Sequence, residues 1–324
     1  MGHAWEEPAK IVVVIPCYRV KGQVMAVLGA VGPEVARILC VDDACPEGSG
    51  AHIEQNSRDP RVKVIRLDEN QGVGGAVMAG YEAALADDAD VVVKLDGDGQ
   101  MDPRIIPVLT QPVVRGLADY TKGNRFYSLE NLRGMPALRL FGNAVLSFMS
   151  KFSTGYWNIV DPTNGYTAVS AKVLRLLPFG KISRRWFFET DMMFRLNTVG
   201  AVVLDVPMEA RYAGENSNLR VSRVFLEFLW KHASNYVKRL FYNYFLRGFS
   251  IASVELVAGL VLLPYGIAFS LVKWAEAEAQ NRYASAGTVM IGALSIIIGF
   301  QLLLSFLNED MRALPQSPLQ NRLP

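Results

Sequence analysis

Residues 10–18 read KIVVVIPCY, a near-continuous apolar run that meets a proline near its end. A strand covered on both faces has this texture. RILCVDDA (37–44), RVKVIRL (61–67) and DVVVKLD (90–96) repeat it, two of them ending in acids. A helical stretch is expected at about 21–30, and the Ala-rich VGGAVMAGYEAALA (73–86) also reads as a helix. Strands that alternate with helices predict a parallel, doubly wound sheet. Ligands of such sheets bind beyond the carboxyl ends of the strands, near a switch in strand order. The polar residues fall at those ends: Pro16 and Tyr18, then Asp42 and Asp43, then Asp96 and Asp98. A catalytic domain over residues 1–220 is expected from this pattern.

The texture changes after Phe249. Residues 249–274 and 284–307 are each long and apolar enough to cross a bilayer, which takes about 20 residues. The competing reading is a pair of buried core helices. Glu255 is the acid inside the first span, and the sequence does not name its partner. Residues 221–248 place Val221, Val224, Phe225, Phe228 and Leu229 at helical spacing among Lys231, Lys238 and Arg239. A basic, aromatic helix leading into a span is expected on a membrane surface or against the catalytic domain. Arg223, Lys231, Lys238, Arg239 and Arg247 outnumber Lys273 and Arg282 of the loop between the spans. The positive-inside rule then puts the catalytic domain and both termini in the cytoplasm. The tail, residues 308–324, is short and proline-bearing and is expected to be loosely ordered. MGHAWEEPAK at the start has no apolar run, so no secretory signal is expected.

Composition narrows the classes further. The chain has 324 residues and a formal net charge of +2, so nothing global points to nucleic acid. Cys17, Cys40 and Cys45 are odd in number and sit in apparent strands and a turn, which favours reduced thiols. A metal site built from them lacks any C-x-x-C spacing. His3, His52 and His232 form no pattern, and no G-x-S-x-G or Gly-Lys-Ser/Thr sequence supports a nucleophilic triad or a P-loop.

The chemistry gathers in DGDGQMDP (96–103). Closely spaced carboxylates on a loop suit a hard divalent cation. Mg²⁺ in particular takes one or two carboxylates and completes its shell with water and substrate phosphate. A solvated acidic turn is the plain alternative, and the distal Glu of a calcium loop is missing.

VVIPCYR (13–19), VDDACPEGSG (41–50), ENQGVGGAVMAGYEAA (69–84) and LDGDGQMDP (95–103) follow in this order. Together they resemble the inverting family 2 glycosyltransferases. DPTNGYTAVS (161–170), NSNL (216–219) and the apolar C-terminal segments narrow the resemblance to the polyisoprenyl-phosphate glycosyltransferases, the dolichol-phosphate mannose synthase-like group. It implies an α/β, GT-A-type, Rossmann-like doubly wound mixed sheet, followed by an amphipathic interfacial helix and two transmembrane helices. Pro16, Tyr18, Asp42, Asp43, Asn70, Gly72 and Gly74 would lie beside the donor nucleotide, with Asp96. Asp96, Asp98 and Gln100 would hold Mg²⁺ or Mn²⁺. Arg125 and Arg139 would face the phosphates. DPTNGYTA would line the sugar and acceptor side, and Arg139, Arg211, Asn216 and Ser217 the acceptor phosphate. Asn218 stands where the family often has a basic residue.

FFETDMMFRL (187–196) has two readings. Glu189 or Asp191 could act as a base or hold an acceptor-side arginine, or both acids could favour a helix N-terminus. The implied activity is inverting transfer of one sugar from a UDP- or GDP-linked donor to a polyprenyl phosphate, undecaprenyl or dolichyl. A bacterial inner membrane is the favoured location, and a homo-oligomer through the spans is left open. A monoester phosphate is largely ionised at neutral pH and needs no base, whereas a sugar hydroxyl does. The rivals are a glycan-extending or polysaccharide-forming membrane enzyme and a non-catalytic membrane scaffold. Arg185–Trp186 matches part of the Q-x-x-R-W motif of processive enzymes, but Ile182 stands in place of its Gln.

Overall fold

A computed structural model describes residues 8–127, 137–209 and 221–324. The chain divides into two compact units: residues 1–236 together with 315–324, and residues 237–314.

The first unit is built on a seven-stranded sheet in the order β3-β2-β1-β4-β6-β5-β7. The four apolar runs form β1 (Ile11–Cys17), β2 (Val35–Asp42), β3 (Val62–Arg66) and β4 (Val91–Lys94), all parallel. β6 (Thr167–Ser170) runs antiparallel between β4 and β5 (Tyr120–Asn124), and β7 (Val203–Pro207) lies parallel to β5. The sheet is therefore mixed. The helices are α1 (Val24–Ala30), α2 (Ser49–Asn56), α3 (Gly72–Ala86), α4 (Ile106–Val114), α5 (Ala137–Thr154), the short α6 (Ala171–Leu174) and α7 (Phe188–Val199).

Val12 to Ile15 are fully buried because both faces of β1 are covered. Val13, Ile15, Ile38, Cys40 and Val93 face a core shared with Val24, Leu28, Ile53 and Leu109 of α1, α2 and α4. On the opposite face α3 approaches β1 so closely that a Cβ on Gly80 would lie 3.1 Å from Val14 Cγ2. Strand order reverses between β1 and β4, the geometry that opens a crevice at the carboxyl end of a sheet.

α8 (Val221–Phe241) docks one face on the first unit as far as Tyr236. Phe228 and His232 pack edge-on against Phe187, His232 Nδ1 lies 2.8 Å from Ser153 Oγ, and Asn235 donates to Asp191 at 3.0 Å. Leu226 and Trp230 remain over 70% exposed, at 73% and 74%. The helix therefore packs on the domain, as one of its two readings expects, and leaves Leu226 and Trp230 on its outer face.

The tail differs from the loose order expected of it. The 3₁₀ turn Leu319–Arg322 sets the Leu319 and Gln320 amides on the two Asp119 carboxylate oxygens, each at 2.7 Å. The Gln320 side chain donates to the Val113 and Ala118 carbonyls, and Asn321 donates to that of Gly116. Proline content alone does not reveal that a buried carboxylate needs these donors.

In the second unit α9 (Ile251–Ala279) and α10 (Ala286–Arg312) form an antiparallel hairpin, and each is long and apolar enough to cross a membrane. Glycines sit at its seam. A Cβ on Gly266 would lie 2.8 Å from the Ile296 amide nitrogen, and one on Gly299 would lie 2.6 Å from that of Leu263. Small residues let apolar helices approach backbone to backbone where no hydrophobic drive separates helix from lipid. Ser305 donates to Glu255 at 2.8 Å, which supplies the partner the sequence did not name. Arg239 forms a two-pronged pair with Asp310, which Tyr244 also reaches at 2.8 Å.

Two tests follow from this packing. Gly299→Leu is expected to destabilise the hairpin by about 1–3 kcal/mol, read as earlier thermal unfolding in detergent, because the neighbouring backbone has no room to yield. Burial pushes the His232 pKa down to about 4. The unfolded chain then takes up the proton first, so stability present above about pH 6.5 is lost as pH falls towards 4. His232→Gln is expected to flatten urea midpoints across that window, whereas wild-type midpoints fall.

Candidate active site

Strand register brings the polar strand ends together. Cys17 pairs with Asp42, Val14 pairs with Lys94, and Asp43 N–H donates to the Cys17 carbonyl. Arg19 and Ala44 follow β1 and β2 in the left-handed region, with φ of 59° and 48°. Non-glycine residues rarely hold that conformation, and it marks loops over-determined by their surroundings. Tyr18 is exposed on this rim, with the Arg19 guanidinium 5.5 Å from its ring centroid. Pro16 is half-buried beside it.

The two acids after β2 hold backbone. Asp42 accepts from the Cys45 and Gly50 amides at 2.8 and 2.7 Å. Asp43 accepts from the Gln71 and Gly72 amides at 2.7 and 2.9 Å, which caps the start of α3 from another loop. Burial raises the Asp43 pKa against those two bonds. Asn70 donates to the Asp43 carbonyl. Gly72 has φ of 81°, and a Cβ there would lie 2.8 Å from the Arg184 carbonyl oxygen. A Cβ on Gly74 would strike the Ser183 carbonyl. These glycines thus let the 183–185 loop close over the helix start.

The three acids of DGDGQMDP separate. Asp102 caps the turn at Pro103–Ile105 and takes Arg104 in a two-pronged pair, at 2.9 and 2.7 Å. Asp98 accepts from the Gln100 amide at 3.0 Å. Asp96 accepts from Lys94 Nζ at 2.9 Å. Asp96, Asp98 and Gln100 are all partly exposed at the crevice. Among the described residues no group of three or more His, Cys, Asp or Glu side chains is placed to hold a metal ion. Cys17 and Cys40 are buried in β1 and β2 and Cys45 lies in the turn after β2, all three without a disulfide. Two carboxylates and an amide are a hard oxygen set too small for a protein-only cage. They fit a Mg²⁺-type ion that shares its shell with water and substrate phosphate.

Two buried lysines, unforeseen from the sequence, flank this loop. Lys94 is 1% exposed and also lies 3.4 Å from Glu189 in the first turn of α7. Burial disfavours its charge, but the Asp96 and Glu189 carboxylates more than offset this and its pKa is raised. Lys122 donates to the Asn164 carbonyl, and burial brings its pKa down to about 8. The legible signal was a lysine inside an otherwise apolar strand, VVVKL, because a buried ammonium needs a partner.

DPTNGYTA curls beside Asp96: a Cβ on Gly165 would lie 2.9 Å from Asp96 Oδ2. Its Asp161, fully buried, takes Arg125 in a two-pronged pair at 2.7 and 3.0 Å. Asp191 accepts from the Ser183 amide at 2.8 Å and from Asn235. Arg139 belongs to α5, but its side chain lies outside the described residues, as do Arg211, Asn216, Ser217 and Asn218 altogether.

Asp43→Asn removes one of two acceptor oxygens of a buried cap at a partly buried helix start. We expect about 1–2 kcal/mol lower stability by urea unfolding; an unchanged midpoint would contradict the capping role.

The model of the family described as "Glycosyl transferase family 2" matches residues 12–177. The chain is 30% identical over 203 residues to the undecaprenyl-phosphate mannosyltransferase of Micrococcus luteus, covering 61% of this chain and 82% of that protein. It is 31% identical over 217 residues to the polyprenol monophosphomannose synthase of Mycolicibacterium smegmatis, covering 63% and 81%. Its fold is similar to glucosyl-3-phosphoglycerate synthase from Mycobacterium tuberculosis, with a TM-score of 0.54 at 17% identity over 70% of this chain and 80% of that one. Mannosyl-3-phosphoglycerate synthase from Rubrobacter xylanophilus gives 0.54 at 16%, over 75% and 77%. At that identity the two structures bear on the fold alone. The chain belongs to glycosyl transferase family 2, as a glycosyltransferase similar to the polyprenyl-phosphate members of that family.

Proposed function

We propose that this protein moves one sugar from a nucleoside-diphosphate sugar to a polyprenyl phosphate, with inversion, on the cytoplasmic side of a membrane. The observation that carries the reading is the convergence of the β1, β2 and β4 ends on the Asp96–Asp98 loop, at the reversal of strand order. The relatives named for undecaprenyl phosphate and for polyprenol monophosphomannose support the lipid acceptor, as do two helices fit to cross a bilayer.

In the reaction the bond from the anomeric carbon to the donor diphosphate breaks, and one forms to an acceptor phosphate oxygen from the opposite face. The transition state is oxocarbenium-like, as in glycoside hydrolysis. The strand-end rim at Tyr18, braced from beneath by Asp42 and Asp43, would seat the nucleoside. Asp96, Asp98 and Gln100 would hold Mg²⁺ or Mn²⁺, which when bound neutralises charge on the departing diphosphate. The Arg125–Asp161 pair would fix the loop on the sugar side. Asp191 is committed to Ser183 and Asn235, and Glu189 to Lys94. That commitment favours an acceptor that needs no base, and a phosphate monoester is already ionised at neutral pH.

Residues 8–236 and 315–324 belong to one unit, with the apolar hairpin between them. This supports an even number of crossings, and the lysines and arginines before the first span support a cytoplasmic unit. A bacterial membrane fits the two relatives, both of them bacterial.

The test is nucleotide release by detergent-purified protein from a panel of UDP- and GDP-sugars, with Mg²⁺ or Mn²⁺, with and without polyprenyl phosphate. Release is expected to need both metal and lipid phosphate, and to fall at least ~100-fold in Asp98→Ala. Release driven by a sugar hydroxyl acceptor, with no response to lipid phosphate, would overturn the reading.

A further inference from the structure

We propose that Lys94 is a positioning residue of this site: its buried ammonium holds Asp96 and Glu189 as one partly neutralised unit, which lets the loop accept phosphate-bearing substrates. The inference rests on the reading of the site as a nucleotide-sugar pocket.

Three elements converge on this one nitrogen. Lys94 closes β4, two residues before the first acid of the loop, and lies 2.9 Å from Asp96 Oδ1. Glu189 reaches it at 3.4 Å from the start of α7, 95 positions away. Gly165, in the turn before β6, leaves the space the group occupies. A side chain there would strike Lys94 Nζ and lie 2.9 Å from Asp96 Oδ2. An ion pair that served packing alone would have no reason to take the acid of the crevice loop as its partner.

The charge count gives the arrangement its use. Asp96 and Glu189 carry two negative charges and Lys94 one positive, so the trio presents a net single negative charge. A divalent ion bound by Asp96 and Asp98 can then neutralise an incoming diphosphate. Without Lys94 the same carboxylates would face the diphosphate with a second uncompensated charge in a partly desolvated crevice, where such charges act strongly. They would also repel each other, and Asp96 would lose the contact that fixes its rotamer. Lys94 thus acts through Asp96 and Glu189 and need not touch substrate.

The test uses the full-length protein in detergent. Wild type, Lys94→Met, Lys94→Arg, Glu189→Gln and the double variant Lys94→Met/Glu189→Gln are titrated with UDP and with GDP in saturating Mn²⁺ by calorimetry. Lipid-dependent nucleotide release is measured in parallel, and a thermal melt reports folding. Lys94→Met is expected to bind the preferred nucleotide about tenfold or more weakly, and Lys94→Arg to recover part of the loss. The double variant is expected to bind more tightly than Lys94→Met, because removing the Glu189 charge replaces the lost compensation. A merely structural lysine would not give that recovery, since a second core change would add to the damage. Wild-type affinity in folded Lys94→Met, or additive losses in the double variant, would overturn the proposal. If Lys94→Met does not fold, Glu189→Gln decides: tighter nucleotide binding supports charge balance, and unchanged or weaker binding overturns it. A wild-type enzyme that binds neither nucleotide and releases none would instead fail the underlying reading of the site.

Discussion

A lysine ammonium buried to 1% exposure at the end of β4 can remain charged only beside carboxylates. That requirement shapes the crevice. It fixes Asp96 over the end of the sheet and draws the start of α7 inwards through Glu189. It also demands a residue without a side chain at Gly165. Lys122, equally buried, donates to a neutral carbonyl, and its pKa falls to about 8. Both are buried, and the direct contact of Lys94 with Asp96 and Glu189 is what sets their shifts in opposite directions.

The remaining acids obey a different constraint. Loops that leave a parallel sheet must bend sharply, and their amides need acceptors once water is excluded. Asp42, Asp43 and Asp191 each supply one to backbone N–H groups, as Asp119 does at the opposite end of the sheet, and Asp161 and Asp102 each bind an arginine. An acid-rich rim is therefore mostly scaffold. Asp96 and Asp98 stand partly open at the reversal of strand order, and that is where a phosphate-bridging cation would be useful.

Much of this was legible because two-sided burial leaves a plain trace. VVVI and RILCV must be inner strands, and the acids after them must face the crevice. The two long apolar segments were equally plain. The antiparallel β6 was not, since TAVS is too short to show a period. Nor could spacing distinguish Asp102 from Asp98, because the difference lies in whether Arg104 folds back two residues. Gly72 and Gly74 were read as nucleotide-side positions. The structure adds a reason local sequence cannot contain, the approach of the 183–185 loop from more than a hundred residues away. The docking of the tail was hidden in the same way, because its acceptor, Asp119, lies 200 positions upstream.

That last contact has a mechanical consequence. The chain leaves the first unit after Tyr236, runs through the apolar hairpin, and returns at Pro315. A hairpin whose seam is closed by Gly259, Gly266, Gly292 and Gly299 behaves as a single stiff piece, since backbone-to-backbone packing leaves little slack. The hairpin is thus an excursion of the chain between two parts of the first unit. What returns the chain is the Asp119 carboxylate: its two oxygens take the Leu319 and Gln320 amides, so a buried acid that no local pattern marks fixes the last segment to the domain the first strands began.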